Sequence, residues 1–290
     1  MKKVKKAVIP AAGRGTRFLP ATKAIPKEML PIIDKPILQY ILEECVDSGI
    51  EEVILIVAKG KESINKHFGD EPDLEEFLRI RGKDELLALI NQVKKMVKVS
   101  YAWQDEAKGL GHAILCAKDL VGDEPFAILL GDNVVVPRDC EPSTKQLINK
   151  YEETGSSIIG TKTVQKSDVN KYGIITPMDT VESRLVQMKD MVEKPSIEEA
   201  PSEMAALGRY VITPKIFELL ENQIPGKGGE IQLTDSIIRL MNHEKVYAYD
   251  FEGDLYDTGD KFGYIKAVID FALDREEFAS DVLDFIKTKI

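Results

Sequence analysis

The chain has 290 residues, 43% of them hydrophobic and 30% charged, and its formal net charge is −10 at pH 7. This length allows one large α/β domain or two smaller ones, and the composition argues against a disordered chain. Nucleic-acid binders usually carry a basic stripe, which this sequence does not indicate. An acidic protein can still bind a polyanionic nucleotide if a few cations and a metal ion are placed for it.

Cysteine and histidine usage indicates neither a zinc site nor a secreted protein. Cys45, Cys116 and Cys140 are far apart and fit no metal or redox spacing, as expected for reduced thiols in the cytoplasm. The basic N-terminus precedes an apolar run that ends at Pro10, too short for a signal peptide. No segment approaches the roughly 20 apolar residues of a membrane span. We therefore expect a cytoplasmic protein without a membrane partner.

Strands and helices alternate in the first half of the chain. Strands are predicted at 7–9, 53–57, 97–103 and 126–130, which are rich in β-branched or aromatic residues. A helix is predicted to start at Asp34 as its N-cap and to end at Gly49, a second helical stretch covers 73–97 with a break at Gly82, and a third helix starts at His112. This alternation predicts a doubly wound, mostly parallel, Rossmann-like mixed sheet with helices on both faces. Ligands of such sheets bind at the carboxyl ends of the strands.

The second half is more mixed and extends the same sheet. Strands are predicted at 156–164, 172–176, 185–189, 205–212 and 246–251, and helices at 214–222, 233–243, 261–273 and from about 274 to the end. No linker, repeat or low-complexity tract divides the chain. A single domain spanning residues 1–290 is therefore expected.

The loop after the first strand carries glycines and cations. Its Gly-x-Gly indicates a dinucleotide fingerprint only in part, because Phe18 stands where a third glycine is required. Taken alone, this segment favours an ordinary turn. However, Arg17, Lys23 and Lys27 share one proline-punctuated loop, which makes a cation cluster in an otherwise acidic chain.

Residues 11–36, AAGRGTRFLPATKAIPKEMLPIIDKP, resemble the signature of bacterial-type UTP–glucose-1-phosphate uridylyltransferases. The resemblance continues through Gln104, 106–130, 192–195, 207–217, 228–235 and 256–267 and so covers nearly the whole chain. The wider group is the sugar-phosphate nucleotidyltransferases, whose fold is a doubly wound sheet. This implies a Mg²⁺-dependent transfer of UMP from UTP to glucose 1-phosphate, by a homo-oligomer that is a dimer or a tetramer. The nucleotide-binding half would span about 1–135 and the sugar-binding half about 136–273, with a C-terminal helix at 274–290.

The resemblance also implies residue roles around the nucleotide. Arg17 would hold the β- and γ-phosphates and Lys27 the triphosphate near the reacting phosphorus, both as catalytic residues. The other nucleotide contacts would be Ala11, Ala12, Gly13, Gly15 and Asn133, with Glu28, Gln104 and Gly109 around the uracil. A glutamine side chain can both donate and accept, which suits an imide edge.

The remaining implied roles concern the metal and the sugar. Asp132 and Asp257 resemble the Mg²⁺ ligands, and Mg²⁺ prefers one or two carboxylates with phosphate oxygens and water. Without the resemblance, both aspartates would be interpreted as turn residues. Gly173 and Glu193 resemble sugar contacts, and Lys194, a further catalytic residue, resembles the lysine that meets the sugar phosphate.

Two alternatives remain open at this point. Gly131-Asp132-Asn133 and Asp257-Thr258-Gly259 are closer to glucose-1-phosphate thymidylyltransferases, which use dTTP, than to the usual Pro-Asp-Asp and Asp-Cys-Gly. The second alternative is a non-catalytic, sugar-nucleotide-sensing regulatory subunit of the same fold. Such a subunit would be expected to lose some of the catalytic and metal residues, but all are present: Arg17, Lys27, Asp132, Lys194 and Asp257.

Overall fold

The computed structural model describes residues 2–178 and 183–289. The strands are β1 (Lys6–Pro10), β2 (Pro31–Ile32), β3 (Lys35–Pro36), β4 (Glu52–Val57), β5 (Lys98–Trp103), β6 (Phe126–Leu129), β7 (Asn133–Val136), β8 (Ser157–Thr163), β9 (Gly173–Pro177), β10 (Leu185–Glu193), β11 (Met204–Ile212), β12 (Val246–Asp250) and β13 (Asp254–Asp257). The helices are α1 (Ile37–Asp47), α2 (Glu62–Phe68), α3 (Pro72–Ile80), α4 (Asp84–Lys95), α5 (Leu110–Leu115), α6 (Lys118–Val121), α7 (Ser143–Thr154), α8 (Lys215–Glu221), α9 (Leu233–Leu240), α10 (Lys261–Leu273) and α11 (Ala279–Lys287).

One mixed sheet runs through both halves of the chain, with nine strands in the order β5-β4-β1-β6-β11-β8-β12-β10-β9. β5, β4, β1 and β6 pair in parallel, as do β8 and β12. Strands β10 and β11 run antiparallel to their neighbours, and the other described strands of the sheet share one direction. The predicted doubly wound, mostly parallel mixed sheet is confirmed.

Both faces of the sheet are buried, which explains the continuous apolar runs of its central strands. Ile9 of β1 and Leu55 of β4 belong to the core packed under α1, α7 and α10. Val8 and Ile54, one position away, belong to the core under α5, α8 and α9. The side chains alternate between faces along each strand, so every position meets a helical layer.

Helix α1 begins later than the sequence predicts. Asp34 is not its N-cap, because the helix starts at Ile37, directly after Pro36. Strands β2 and β3 instead form a small hairpin, in which Ile33 adopts a φ of 64°. The Asp34 carboxylate accepts hydrogen bonds from Arg275, so its charge ties this hairpin to the C-terminal region.

The last helix is also shorter than predicted, whereas α10 spans the predicted residues 261–273. The expected helix from residue 274 to the end is replaced by α11, which begins at Ala279 after a turn. Asp274 is the C-cap residue directly after α10, and its backbone N–H donates to the carbonyl of Asp270. Helix α10, with 13 residues, is the longest described helix, and none of the described helices is long and apolar enough to cross a membrane.

A two-stranded ribbon formed by β7 and β13 was not predicted. Its antiparallel register sets Asn133 opposite Asp257. Each strand has only four residues, too few for a hydrophobic period to stand out. The ribbon nevertheless brings two distant chain segments to one point beside the sheet edge.

Candidate active site

A cavity of about 570 Å³ opens where β1, β4 and β5 end. Its walls come from residues 12–26, 58–61 and 104–107. Four of its lining side chains are cationic and one is acidic, namely Arg14, Lys23, Lys59, Lys61 and Asp105. The cavity is therefore locally positive in a chain of net charge −10, which suits a polyanionic ligand.

The predicted nucleotide loop forms one side of this cavity. Ala12 and Gly13 line it, whereas Ala11 is buried as a continuation of β1. Gly15 has a φ of 63°, and a Cβ there would lie 3.0 Å from Cβ of Lys27. The loop therefore needs a glycine at 15 to pack against the segment that carries Lys27, and it leaves backbone exposed at 12 and 13.

The structure brings the predicted base contacts Gln104 and Gly109 together. Gln104 is buried at the cavity, and its Nε2 donates to the Gly109 carbonyl at 3.2 Å. The same nitrogen lies 3.0 Å from Nδ1 of His112. Gly109 has a φ of 99°, and a Cβ there would lie 2.8 Å from both Glu230 and the Ile231 carbonyl. A glycine is therefore required at 109 for the approach of the segment around residue 230.

Glu28, the third residue predicted at the base, lies behind the cavity wall. It is fully buried, and its Oε2 accepts from Nζ of Lys61 at 2.7 Å. Its Oε1 has no hydrogen-bond partner within the described chain. Burial raises the pKa of Glu28 above its ordinary value, although Lys61 and Lys27 oppose that rise. Its contact with a base stays a prediction. Lys61 was missed because a single loop lysine carries no sequence pattern.

Two carboxylates converge beside the cavity. Asp132 and Asp257 both approach Gly259, where a Cβ would lie 2.6 Å from Oδ2 of Asp132 and 3.1 Å from Oδ1 of Asp257. Thr258 fixes this arrangement, because its Oγ1 donates to the Asp132 carbonyl at 2.7 Å. Burial, followed by the charge of Asp132, raises the pKa of Asp257. Negative charge is therefore concentrated at this point, and a cation is needed to offset it.

These two carboxylates fit Mg²⁺. Within residues 2–178 and 183–289, no cluster of three or more His, Cys, Asp or Glu side chains forms a fuller metal cage. Mg²⁺ is usually bound by one or two carboxylates and completed by phosphate oxygens and water. The donor set around Gly259 matches that preference, and the raised pKa of Asp257 indicates a site where a bound cation would be favourable.

The two predicted catalytic cations of the nucleotide loop reach this acidic point. Lys27 Nζ lies 2.6 Å from Oδ2 of Asp132. Burial opposes the charge on Lys27, but Asp132 and Glu28 raise its pKa above the ordinary value, so it is a cation. Arg17 donates from Nη1 to the Gly259 carbonyl at 2.8 Å. Both side chains thus connect the nucleotide loop to the two carboxylates.

The predicted sugar residues lie together at the end of β10. The pairing of β9 with β10 sets Gly173 opposite Glu193. Glu193 accepts from Oγ1 of Thr234 at 2.6 Å, and its other oxygen lies 3.3 Å from Nζ of Lys194. Lys194 has a φ of 47°, and its N–H donates to the Tyr172 carbonyl. A left-handed lysine is a strained conformation typical of functional sites.

Sequence reasoning assigned no role to several residues around this second group. Thr234 and Asp235 belong to the matched segment 228–235, and burial together with the charge of Glu193 raises the pKa of Asp235. Burial and the charge of Asp257 raise the pKa of Tyr172 to about 12. The Tyr172 carbonyl also accepts from Lys194, so this tyrosine lies between the residues around Glu193 and the carboxylate of Asp257.

Asn133 is placed differently from the other predicted nucleotide contacts. It is buried at the start of β7, and its carbonyl accepts from Nη2 of Arg209 at 2.8 Å. Arg209 is fully buried and pairs with Glu44 of α1 at 2.7 Å. Asn133 does not line the 570 Å³ cavity, so its contact with a nucleotide stays a prediction. The buried ion pair had no sequence signal, because its members are 165 residues apart.

Cations and paired carboxylates at one strand edge suit the transfer of a phosphate-bearing group, since that chemistry depends on positioning and charge neutralisation. The comparison with family models agrees. The model described as nucleotidyl transferase matches residues 6–272, and the chain belongs to this family.

Individual relatives narrow the comparison. The UTP–glucose-1-phosphate uridylyltransferase of Bacillus subtilis (strain 168) is 51% identical over 287 residues, covering 99% of this chain and 97% of the relative. A solved UDP-glucose pyrophosphorylase from Acinetobacter baumannii has a TM-score of 0.92 at 38% identity, covering 99% of this chain and 100% of that one. A putative glucose-1-phosphate thymidylyltransferase from Bacillus anthracis has a TM-score of 0.71 at 21% identity, covering 91% and 93%. That last likeness shows the fold alone.

Proposed function

We propose that the chain transfers UMP from UTP to glucose 1-phosphate, forming UDP-glucose and releasing pyrophosphate. The observation that carries this proposal is the 51% identity to a uridylyltransferase over 99% of the chain, because it spans both groups of site residues. The thymidylyltransferase alternative is supported only by a fold likeness at 21% identity and by the residues beside Asp132 and Asp257. A regulatory subunit is disfavoured because the charged site residues are retained and converge.

The reaction needs no general base from the protein. A phosphate oxygen of glucose 1-phosphate attacks the α-phosphorus of UTP in line, and pyrophosphate leaves with the electron pair of the broken bond. The second pKa of a phosphomonoester is about 6, so the nucleophile is already largely deprotonated at neutral pH. The protein's task is to hold two polyanions close together and to neutralise their charge.

The residues divide this task between them. Gln104 and the backbone of Ala12 and Gly13 would hold the nucleoside end, and the cavity's cations would hold the phosphates. Asp132 and Asp257 would hold Mg²⁺, which supplies charge neutralisation at the phosphate oxygens when bound. Lys27 and Arg17 would add positive charge on the nucleotide side, and Gly173, Glu193 and Lys194 would hold the sugar phosphate.

Three further expectations belong to the same proposal. The chain would act as a single domain with a nucleotide-binding half at about 1–135 and a sugar-binding half at about 136–273. Assembly into a dimer or tetramer stays a prediction that rests on the resemblance alone. A cytoplasmic location stays a prediction from the cysteine usage and the short N-terminal apolar run.

The test is a substrate panel with pyrophosphate release as the readout. UTP, dTTP, ATP and GTP are each combined with several sugar 1-phosphates in the presence of Mg²⁺. UTP with glucose 1-phosphate should give the highest kcat/KM, and chelation of Mg²⁺ should abolish release until the metal is restored. An equal or better kcat/KM with dTTP would reassign the chain to the thymidylyltransferases. Absence of release with every pair would favour the regulatory subunit.

A further inference from the structure

The orientation of the Gln104 amide is fixed by two partners on one side. The Gly109 carbonyl, 3.2 Å away, can only accept, so the atom facing it must be the amide nitrogen. The same nitrogen lies 3.0 Å from Nδ1 of His112. That ring nitrogen must therefore accept as well, which places the imidazole proton on Nε2.

The other end of the Gln104 amide is left for a ligand. Within the described chain, Oε1 of Gln104 accepts no hydrogen bond, while both contacts of this side chain use Nε2. Gln104 also forms part of the cavity wall. A carbonyl oxygen held in this way recognises a donor and is repelled by an acceptor.

Uracil and cytosine differ at the atom such an oxygen would meet. N3 of uracil carries a proton and donates, whereas N3 of cytosine is an acceptor. We propose that His112 is a positioning residue that locks the Gln104 amide with its oxygen toward the base, and so selects UTP over CTP. This inference rests on the proposed function, which places the base at Gln104.

His112 would hold the Gln104 amide in one orientation because a reversed amide makes less favourable hydrogen bonds. A reversed Gln104 would set Oε1 against the Gly109 carbonyl, and Nδ1 of His112 could pair with Oε1 only after the imidazole proton had moved from Nε2 to Nδ1. Without His112, only Gly109 would oppose the reversal. A reversed amide donates to cytosine N3, so loss of His112 should admit CTP.

The surroundings hold His112 in the required position and state. The first turn of α5 is fixed because the Gly111 N–H donates to the Ile231 carbonyl at 2.8 Å and the Ile231 N–H to the Lys108 carbonyl at 2.7 Å. Burial and the charge of Lys108 lower the pKa of His112, and Glu106 opposes that shift only in part. The imidazole is therefore neutral near pH 7, as an accepting Nδ1 requires.

The experiment compares kcat/KM for UTP, CTP and dTTP in the wild type, His112→Leu and His112→Lys. Leucine removes the accepting ring nitrogen, so the CTP-to-UTP ratio should rise, by less than the factor of about ten that corresponds to roughly one whole hydrogen bond. Lysine presents only donors, which favour the reversed amide, and should raise the ratio further. The dTTP-to-UTP ratio should stay unchanged in both variants, because thymine presents the same N3–H as uracil.

His67→Leu is the matched control. His67 pairs with Gln39 at 2.9 Å, a second histidine–glutamine contact that lies outside the cavity. Its loss should leave all three nucleotides in their wild-type ratios. A merely structural role for His112 would lower kcat/KM equally for UTP, CTP and dTTP, and that result would overturn the proposal.

Calorimetric binding of UMP and CMP separates this inference from the proposed function. If the wild type released no pyrophosphate, the proposed reaction would be wrong, yet the UMP-to-CMP affinity ratio would still test His112. The ratio should fall in His112→Leu and His112→Lys. An unchanged ratio in folded variants, verified by circular dichroism, would exclude the positioning role.

Discussion

At the scale of single residues, Gly259 determines whether two carboxylates can share one point. Both carboxylates can approach this residue because it has no side chain. A Cβ there would lie 2.6 Å from Oδ2 of Asp132 and 3.1 Å from Oδ1 of Asp257. Real Cβ atoms do not approach an oxygen as closely as the first of these distances. The crowded atom is the far end of a side chain, so the carboxylate can rotate away at low cost to the fold.

Gly259→Ala should therefore leave the protein folded but weaken its metal site. We expect the affinity for Mg²⁺ to fall by about 10- to 100-fold, as for other changes that misplace a metal ligand, while the melting temperature stays close to that of the wild type. Mn²⁺ binding followed by electron paramagnetic resonance, with thermal unfolding in parallel, measures both. Asp132→Asn serves as the positive control. Wild-type metal affinity in Gly259→Ala would remove Asp132 and Asp257 as a shared site.

At the scale of elements, a buried ion pair joins α1, α7 and β11. Glu44 of α1 accepts from Arg209 of β11 and also from the Ser143 and Thr144 hydroxyls at 2.7 and 2.6 Å. The Thr144 backbone N–H donates to the same carboxylate, so Glu44 supplies negative charge at the start of α7. Arg209 in turn donates to the carbonyl beside Asp132, that of Asn133. One carboxylate thus holds elements from both halves of the chain.

Glu44→Gln should destabilise the fold strongly, because Arg209 would keep a buried charge without a counter-charge. Removing one partner of a buried pair costs about 3–5 kcal/mol of unfolding free energy. The matched control is Glu43→Gln on the same helix, which breaks a partly exposed pair with Lys35 and should cost less than about 1 kcal/mol. Urea unfolding at pH 7 measures both. Equal costs for the two variants would contradict the role given to Glu44.

The pH dependence of the same variants provides a second check. Burial opposes the charge of Glu44, but Arg209 and the hydroxyl donors lower its pKa below the ordinary value. Its contribution is therefore complete above the unfolded pKa of about 4.3 and is lost as the pH falls through the lower folded value. The stability gap between wild type and Glu44→Gln should narrow below about pH 4.

The elements themselves show what sequence patterns can predict. Long apolar segments such as α10 and buried runs such as β4 were identified because their hydrophobic pattern is set locally. The predicted start of α1 was wrong because Asp34 accepts hydrogen bonds from Arg275, about 240 residues away, instead of capping the helix. The β7–β13 ribbon and the Glu44–Arg209 pair were missed for the same reason, since both depend on contacts that only the folded chain creates.

At the scale of the whole molecule, the two groups of site residues are contributed by different halves of one sheet. Lys27→Ala should therefore raise the KM for UTP, and Lys194→Ala the KM for glucose 1-phosphate, each by about tenfold, the cost of a charged hydrogen bond. Both should also lower kcat, because charge moves between phosphates in the transition state. Lys189→Ala, an exposed lysine on the same strand β10, is the control and should change neither.

Steady-state kinetics in both substrates measure this division. If Lys194→Ala left the KM for glucose 1-phosphate and kcat unchanged, the residues around Glu193 would not form a sugar-phosphate site. The sequence could predict which segments carry the site through their resemblance to a family. It could not predict that Glu28 lies behind the wall, or that Asn133 is turned into the core, because both depend on packing by residues distant in the chain.

The β7–β13 ribbon brings Asp132, directly before β7, close to Asp257 at the end of β13. During translation, however, Asp257 is added to the chain long after Asp132. At about 5–20 residues per second, on the order of ten seconds separate the two codons. A nascent chain that already holds the whole cation loop and Asp132 therefore still lacks its second carboxylate. A product of translation interrupted before Asp257 would therefore lack the proposed metal site and should release no pyrophosphate from UTP.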